Sequence, residues 1–241
     1  MDNNIEFFEQ GNDIFAWQDI TNNKLFYQKA YKTIALKHDL CDEIIMSCEK
    51  RASENLKFDK HQRNNDINSE GWFSTRDPSY NVLTMPIKLI NQETRNKLNS
   101  VIKELIHQCA QIYNIDLNRI YIKQQEVVKY SCKILDGQTK LREHQDECNL
   151  TFNIQLNKPH EFRGGGIHFS PSLTPRNSII ILDKGSMICH SGNQRHSGNE
   201  ITKGLRYILV IFLKIKNVVQ LSEKEVNKIV LKQKYQYNNF K

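Results

Sequence analysis

No apolar run in the 241-residue sequence reaches the ~20 residues that a helix needs to cross a bilayer. The amino terminus, MDNNIEFFEQGND, has neither the positive n-region nor the apolar h-region of a secretory signal, so the expected location is the cytoplasm. The six cysteines contain no C-x-x-C pair and no dense framework, which argues against a disulfide scaffold and for free thiols in a reducing compartment. Charge is also without a block: 34 basic against 27 acidic residues give +7, but the basic residues are scattered. That describes a solvated basic surface rather than a nucleic-acid groove, and no basic–aromatic stripe for stacking bases is present. The chain carries no internal repeat and no low-complexity linker, so one domain is expected across residues 1–241.

Two kinds of periodicity are present. Phe15 and Trp17 mark a strand or lid in the first 35 residues, and from Asp39 the positions Leu40, Ile44, Ile45 and Cys48 form a helical stripe. The polar stretch 50–70 reads as a surface loop, and Asp77-Pro78 as a turn. Asn91 is a plausible N-cap with Glu93 in the first turn; Leu98, Val101, Ile102, Leu105, Ile106 and Cys109 then share one face of a helix running to about Tyr113. From Arg119 the period changes to two, in IYIKQQEVVKY, TFNIQLN, IHF, SIIILD and LRYILVIFLKI. Gly164, Gly165 and Gly166 interrupt these strands where a sharp hairpin or bulge is needed. Helices followed by many short antiparallel strands predict an α+β, mainly β fold: a double-stranded β-helix, or jelly roll, buttressed by N-terminal helices. The expected parts are a helical support over 1–117, the jelly-roll core over 118–216, and a tail over 217–241 with a short surface helix in SEKEVNKIVLKQKY.

His144 and Asp146, in HQDECNLTFNIQLN, are two positions apart at the head of an alternating run, and residues i and i+2 of a strand face the same way. Such a pair is a weak metal signal alone. A second segment strengthens it: His196 precedes Arg206 by ten residues in H-x-G-x-x-x-T-x-G-x-R-Y, with Gly198 and Gly204 allowing the chain to reverse. A metal and a guanidinium facing one pocket make a site for a molecule with two carboxylates.

These pieces together resemble the iron(II)- and 2-oxoglutarate-dependent dioxygenases, in the branch with the prolyl 4-hydroxylase and procollagen lysyl hydroxylase catalytic domains. The matching segments are Q-x-V-V-K-Y (Gln125 to Tyr130), H-Q-D (His144 to Asp146), T-F-N-I-Q-L-N (Thr151 to Asn157), F-R-G-G-G-I-H-F (Phe162 to Phe169) and H-S-G-N-E-I-T-K-G-L-R-Y (His196 to Tyr207). They stand in the family's order and span roughly residues 119–215. The resemblance implies iron(II) held by His144, Asp146 and His196, with positions left for 2-oxoglutarate and dioxygen. It implies Arg206 on the distal carboxylate of 2-oxoglutarate, Tyr130 and Asn153 as further polar contacts to it, and ascorbate among the cofactors. The implied reaction hydroxylates a lysine or proline side chain of a protein or peptide while 2-oxoglutarate is decarboxylated to succinate.

His190 lies close to His196 but lacks its glycine and arginine spacing, so it is expected to make hydrogen bonds in a turn. His160 and His168 receive no role, and Cys148 and Cys189 are expected to be small buried hydrophobes. An oxygenase acting on nucleic acid ranks second, and a catalytically silent module with the same barrel third. The silent module requires loss of a ligand or of the arginine, and all are present.

Overall fold

In the computed structural model the described residues are 5–8, 15–21, 24–59, 67–74, 82–133, 138–170, 179–221, 224–225 and 228–229. The strands in chain order are β1 (Glu6–Phe7), β2 (Phe15–Asp19), β3 (Leu25–Gln28), β4 (Tyr31–Ile34), β5 (Phe73–Ser74), β6 (Leu83–Pro86), β7 (Ile120–Ser131) and β8 (Leu141–His144). They continue as β9 (Leu150–Gln155), β10 (Phe162–Gly164), β11 (Ile167–Ser170), β12 (Ile179–Ile180), β13 (Ser186–Ser191), β14 (Arg195–Gly198), β15 (Ile201–Ile215) and β16 (Val218–Leu221). Two long helices, α1 (His38–Asp59) and α2 (Gln92–Tyr113), precede β7.

A nine-stranded antiparallel sheet runs β1-β4-β13-β9-β15-β7-β6-β5, with β10 also paired to β15. A four-stranded sheet, β12-β11-β14-β8, forms the second wall of the jelly roll, and β16-β2-β3 make a small third sheet. The expected fold class holds. The support region differs from expectation, because β1, β4, β5 and β6 come from it and belong to the large sheet. The division near residue 118 therefore does not divide the sheet.

Burial explains why the central strands carry polar residues. All six residues of β9 are buried, because helices cover one face of the sheet and the minor sheet faces the other. Phe152 and Ile154 join the core shared with α1 and α2, where Ile44, Cys48, Leu98 and Ile102 are fully or almost fully enclosed. Burying side chains of this size is worth ~1.5–3 kcal/mol each. Thr151, Asn153 and Gln155 point the other way, into the barrel, where they find polar partners. β15 alternates likewise: Leu209 and Ile211 face the helices, and Ile208 and Val210 face the barrel.

α2 follows its predicted pattern, with Asn91 Oδ1 accepting from Thr94 N at 2.9 Å and Leu98, Ile102, Leu105, Ile106 and Cys109 buried; Val101 is partly buried. α1 is longer than the stripe suggested, and residues 50–59 are its last turns rather than loop. After Cys48 its buried face is carried by Ala52 and Asn55, small and polar side chains without an apolar signature. Asn55 Nδ2 donates to Gly71 O at 2.9 Å, and Gly71 lies so close that an added Cβ would sit 2.0 Å from Ala52 O. Within the stripe, Ile45 is only half-buried while Cys41 is fully enclosed. The Asp77-Pro78 turn lies outside the described residues, as does most of the C-terminal segment read as a helix; its described residues Lys224, Glu225, Lys228 and Ile229 are helical. Of the described residues of SIIILD, Ile179–Ile180 form a strand and the rest do not. No described helix is long and apolar enough to cross a membrane.

The triple glycine is the corner where the chain changes sheets. β10 pairs with β15 of the large sheet and β11 with β14 of the small one, and a bulge falls between Arg163 and Gly164. All three glycines have positive φ (81°, 75° and 95°), which side-chain-bearing residues adopt only under strain. The expected bulge is present; the turn leads between sheets rather than closing a hairpin.

Candidate metal centre and co-substrate pocket

His144 ends β8 and His196 lies on β14, and the two are direct cross-strand partners in the minor sheet. That register stacks their rings with centroids 4.4 Å apart. Asp146 follows just beyond the strand end, its backbone N–H donating to Gly192 O at 2.8 Å. One ligand atom from each of the three residues lies within 4.8 Å of the others, with Asp146 Oδ1 3.4 Å from His144 Nε2 and Oδ2 3.6 Å from His196 Nε2.

Backbone carbonyls set the orientation of both rings. His144 Nδ1 lies 2.8 Å from Arg142 O and His196 Nδ1 2.9 Å from Gln194 O, and a carbonyl can only accept. Each Nδ1 therefore carries hydrogen, and in the neutral rings Nε2 presents its lone pair toward Asp146. Thr151 fixes the carboxylate by donating to Asp146 Oδ2 at 2.5 Å. Burial pushes the Asp146 carboxyl up, but the His144 contact, the His196 and His190 rings and the Thr151 hydroxyl outweigh it and hold the group well below the usual carboxylate range. For His196 burial dominates and lowers the pKa, favouring the neutral ring that binds metals. His144 is also opposed by burial, yet Asp146 and the Arg142 carbonyl raise its pKa.

His190, the sequence rival, is fully buried in the barrel interior with its ring 4.6 Å from that of His196. Its Nδ1 donates to Ser191 O at 2.8 Å, and its Nε2 accepts from Asn153 Nδ2, also at 2.8 Å. Both nitrogens are occupied, which removes it as a ligand, and burial pushes its pKa down to about 3. Cys148 is buried against Thr151, and burial pushes its thiol up to about 12, so it stays protonated. Cys189 packs in the helix-side core.

The three clustered residues stand at the wall of a cavity of about 530 Å³, which Tyr130, Asn153, Ile208 and Val210 also line. Exposure along β7 gives its direction, falling from 47% at Tyr121 to 2% at Tyr130, so the mouth lies at the start of the strand and the floor at its end. Arg206, across from Tyr130 in the β15–β7 register, is 1% exposed and adjoins this floor next to the Tyr130 ring without itself lining the cavity. Its guanidinium carbon lies 5.2 Å from the Tyr130 ring centre and 5.9 Å from that of Phe162; Nε donates to Gln155 Oε1 and Nη1 to Gly166 O, both at 3.1 Å. Burial pushes its pKa down, and among the described residues no carboxylate faces it. A buried cation held only by neutral acceptors is the counterpart of an anion from outside the chain. The donor set of two imidazoles and one carboxylate likewise suits iron(II).

No protein-family model matches the chain. A 93-residue stretch is 33% identical to the 2-oxoglutarate and iron-dependent oxygenase domain-containing protein 2 of Mus musculus, covering 36% of this chain and 25% of that protein. The match thus spans a quarter of that relative's length. A viral collagen prolyl hydroxylase from Paramecium bursaria Chlorella virus 1, solved with 2-oxoglutarate, superposes with a TM-score of 0.51 at 14% identity over 77% of this chain and 95% of its own. The chain has the iron(II)- and 2-oxoglutarate-dependent oxygenase fold. A Pseudomonas putida prolyl-4-hydroxylase shares the oxygenase fold at a TM-score of 0.51 and 13% identity, over 78% of this chain and 92% of that one. So does the epimerase SnoN, solved with Fe3+ and α-ketoglutarate, at 0.52 and 11%, over 80% and 82%.

Of the residues singled out in the sequence, His144, Asp146, His196, Tyr130 and Asn153 line one cavity, and Arg206 adjoins it beside Tyr130. His160 and His168 are not among its lining residues. Sequence reasoning did not find Thr151 and Gln155, which brace Asp146 and Arg206. The signal was available: in a strand following H-x-D, polar residues at alternate positions face the same side as the ligands.

Proposed function

We propose that this chain works as one iron(II)- and 2-oxoglutarate-dependent dioxygenase unit that hydroxylates a lysine or proline side chain of a protein or peptide in the cytoplasm. The observation that carries the reading is the His144–Asp146–His196 cluster, with both Nε2 atoms turned to one carboxylate at the side of a cavity whose floor Arg206 adjoins. Iron(II), held by those three residues, supplies when bound the activation of dioxygen at the expense of 2-oxoglutarate. Arg206 would hold the distal carboxylate of the keto acid. Gln155 and Gly166 O keep the guanidinium in place, and Tyr130 forms the adjoining wall. The apolar side chains of Ile208 and Val210 line the space between floor and mouth and exclude water. The resemblance adds ascorbate as an accessory cofactor and makes protein the favoured substrate class over nucleic acid.

The direct test is succinate formation from 2-oxoglutarate by the iron-loaded protein with lysine- and proline-containing peptides. His144→Ala and Arg206→Ala are the controls. Peptide-dependent succinate that both variants lose supports the reading, and turnover unchanged by either variant overturns it. Turnover with an oligonucleotide and with no peptide would move the substrate to nucleic acid.

A further inference from the structure

Glu126 is a carboxylate in the cavity that the iron and 2-oxoglutarate sites do not use. It lies on β7 between the exposed mouth and the buried floor, with its side chain half-buried among the lining residues. Its one hydrogen bond among the described residues comes from Gln124 Nε2, at 2.9 Å, and no described cation pairs with it. The lysine in the lining, Lys123, is engaged elsewhere, with Nζ 2.9 Å from Glu147 O and 3.5 Å from its carboxylate. A register irregularity explains why Lys123 and Gln124 both reach the cavity: Phe212 pairs with Gln124 but Leu213 with Ile122, so residue 123 is the extra one.

The sheet register fixes where Glu126 stands relative to the metal cluster. Glu126 pairs with Val210, and Val210 with Asn153, so two strand spacings of about 4.8 Å place Glu126 roughly 10 Å from Asn153. Asn153 is bonded to His190, whose ring packs on His196. Asp146 is tied to Thr151, which is level with Phe212 and Gln124, so Glu126 sits on the wall across from the ligands and two residues deeper along β7 than the level of Thr151. Burial raises its pKa against the opposing Gln124 amide, so the group is incompletely solvated.

Resting on the dioxygenase reading, we infer that Glu126 selects the substrate: its carboxylate receives the ammonium of a lysine side chain whose methylene stem passes Val210 and Phe212 toward the metal cluster. A four-carbon stem ending in a point charge fits an apolar wall with one carboxylate at its far side. A prolyl ring offers no donor and would leave that carboxylate desolvated and unpaired. Sites built to bond a polar group reject analogues that lack it. The inference therefore divides the two side chains that the dioxygenase reading leaves together.

The test compares three capped tripeptides that differ only in a central lysine, norleucine or proline. Their binding to the full chain, loaded with iron(II) and 2-oxoglutarate under nitrogen, is measured by calorimetry, followed by succinate formation in air. The lysine peptide should bind about tenfold or more tightly than its norleucine twin, as a charge-assisted hydrogen bond implies. Glu126→Gln should erase that difference, and Glu126→Asp should keep part of it; thermal melting confirms that each variant is folded. Equal affinity for lysine and norleucine, a lysine preference that survives in Glu126→Gln, or binding of none of the three overturns the inference. Turnover with the proline peptide and no lysine preference sinks Glu126 while leaving the dioxygenase reading standing. Failure to bind iron or 2-oxoglutarate removes the reading and the inference together.

Discussion

The Thr151 hydroxyl donates to Asp146 Oδ2 at 2.5 Å, and this bond joins the second residue of β9, the strand behind the H-x-D turn, to the carboxylate of the candidate metal cluster. Asp146 is the one ligand outside a strand, so its geometry depends on that bond and on its own N–H to Gly192 O. Partners of this kind commonly contribute 10–100-fold in metal affinity. Thr151→Val should weaken iron(II) or manganese(II) binding by about that factor, measured by calorimetry, while Thr151→Ser should stay near wild type. Equal affinity in all three proteins would show that the Thr151 hydroxyl is not needed and that the backbone, with its bond to Gly192 O, suffices to position Asp146.

Removing the metal tests the cluster as a whole. Chelation should abolish 2-oxoglutarate turnover, and iron(II) should restore it in the wild-type protein. His196→Ala should lose metal binding, and His190→Ala should keep it, because both His190 nitrogens are already occupied within the fold. The reverse pattern would exchange the roles of the two histidines.

At the floor, the arginine acts through geometry as well as charge. Arg206→Lys keeps the charge but cannot bond Gln155, Gly166 O and a carboxylate with one planar fork. The expected result is a loss of roughly tenfold or more in 2-oxoglutarate affinity, with metal affinity unchanged. Gln155→Ala should show a smaller loss of the same kind. A succinate assay over a range of 2-oxoglutarate concentrations reads both as a raised KM.

The junction of α1 with the segment behind it makes a stability prediction. Gly71 has φ +82°, and an added Cβ would lie 2.0 Å from Ala52 O, a backbone atom that cannot swing aside. Gly71→Ala should therefore cost several kcal/mol, of order 2–4, combining overpacking with backbone strain. Ala52→Gly in the same background should recover little, because the clash is with the carbonyl. Denaturant melts of the three proteins decide it.

Acid should act at the Asp19–Arg119 pair, where the carboxylate oxygen and guanidinium nitrogen are 2.5 Å apart. The Arg119 hydrogen bond, helped by Thr21, lowers the Asp19 carboxyl to about 2 from its ordinary 3.8. A depressed folded-state pKa gives stability that is complete above about 3.8 and is lost as pH falls toward about 2. Asp19→Asn should flatten the stability curve in that window and leave it unchanged near neutrality apart from a constant offset.

The strands after Arg119, α2 and the candidate metal ligands could be read from the sequence because each rests on a local repeat, a fixed spacing or a segment of recognisable order. Leu98, Ile102 and Ile106 declare a helix face by themselves, and His144, Asp146, His196 and Arg206 lie in segments of recognisable order. The second half of α1 could not be read, since Ala52 and Asn55 bury only because Gly71 comes back against them, a contact between distant parts of the chain. Apart from β2, where Phe15 and Trp17 marked a strand or lid, the strands of the first 86 residues were hidden for a similar reason. β1, β5 and β6 are two to four residues long, and partners far along the chain define β4 and β6: β13 pairs with one and β7 with the other. His190 was the hardest case. Its closeness to His196 suggested a rival that only spacing argued against, and the Asn153 amide from the neighbouring strand together with Ser191 O shows why it is none.

Gly166 supplies the carbonyl that holds Arg206, and the same residue turns the chain from the large sheet into the small one; Gly165 stands so close that an added Cβ would meet Arg206 Cδ at 3.1 Å. The corner of the barrel and the seat of the arginine are thus made of the same few atoms. A chain that has not yet brought its two sheets together has no finished place for the guanidinium, so on the dioxygenase reading uptake of 2-oxoglutarate should report that the two sheets have met. During refolding, capture of the keto acid should rise in step with closure of the sheets, and a ligand titration becomes a clock for assembly.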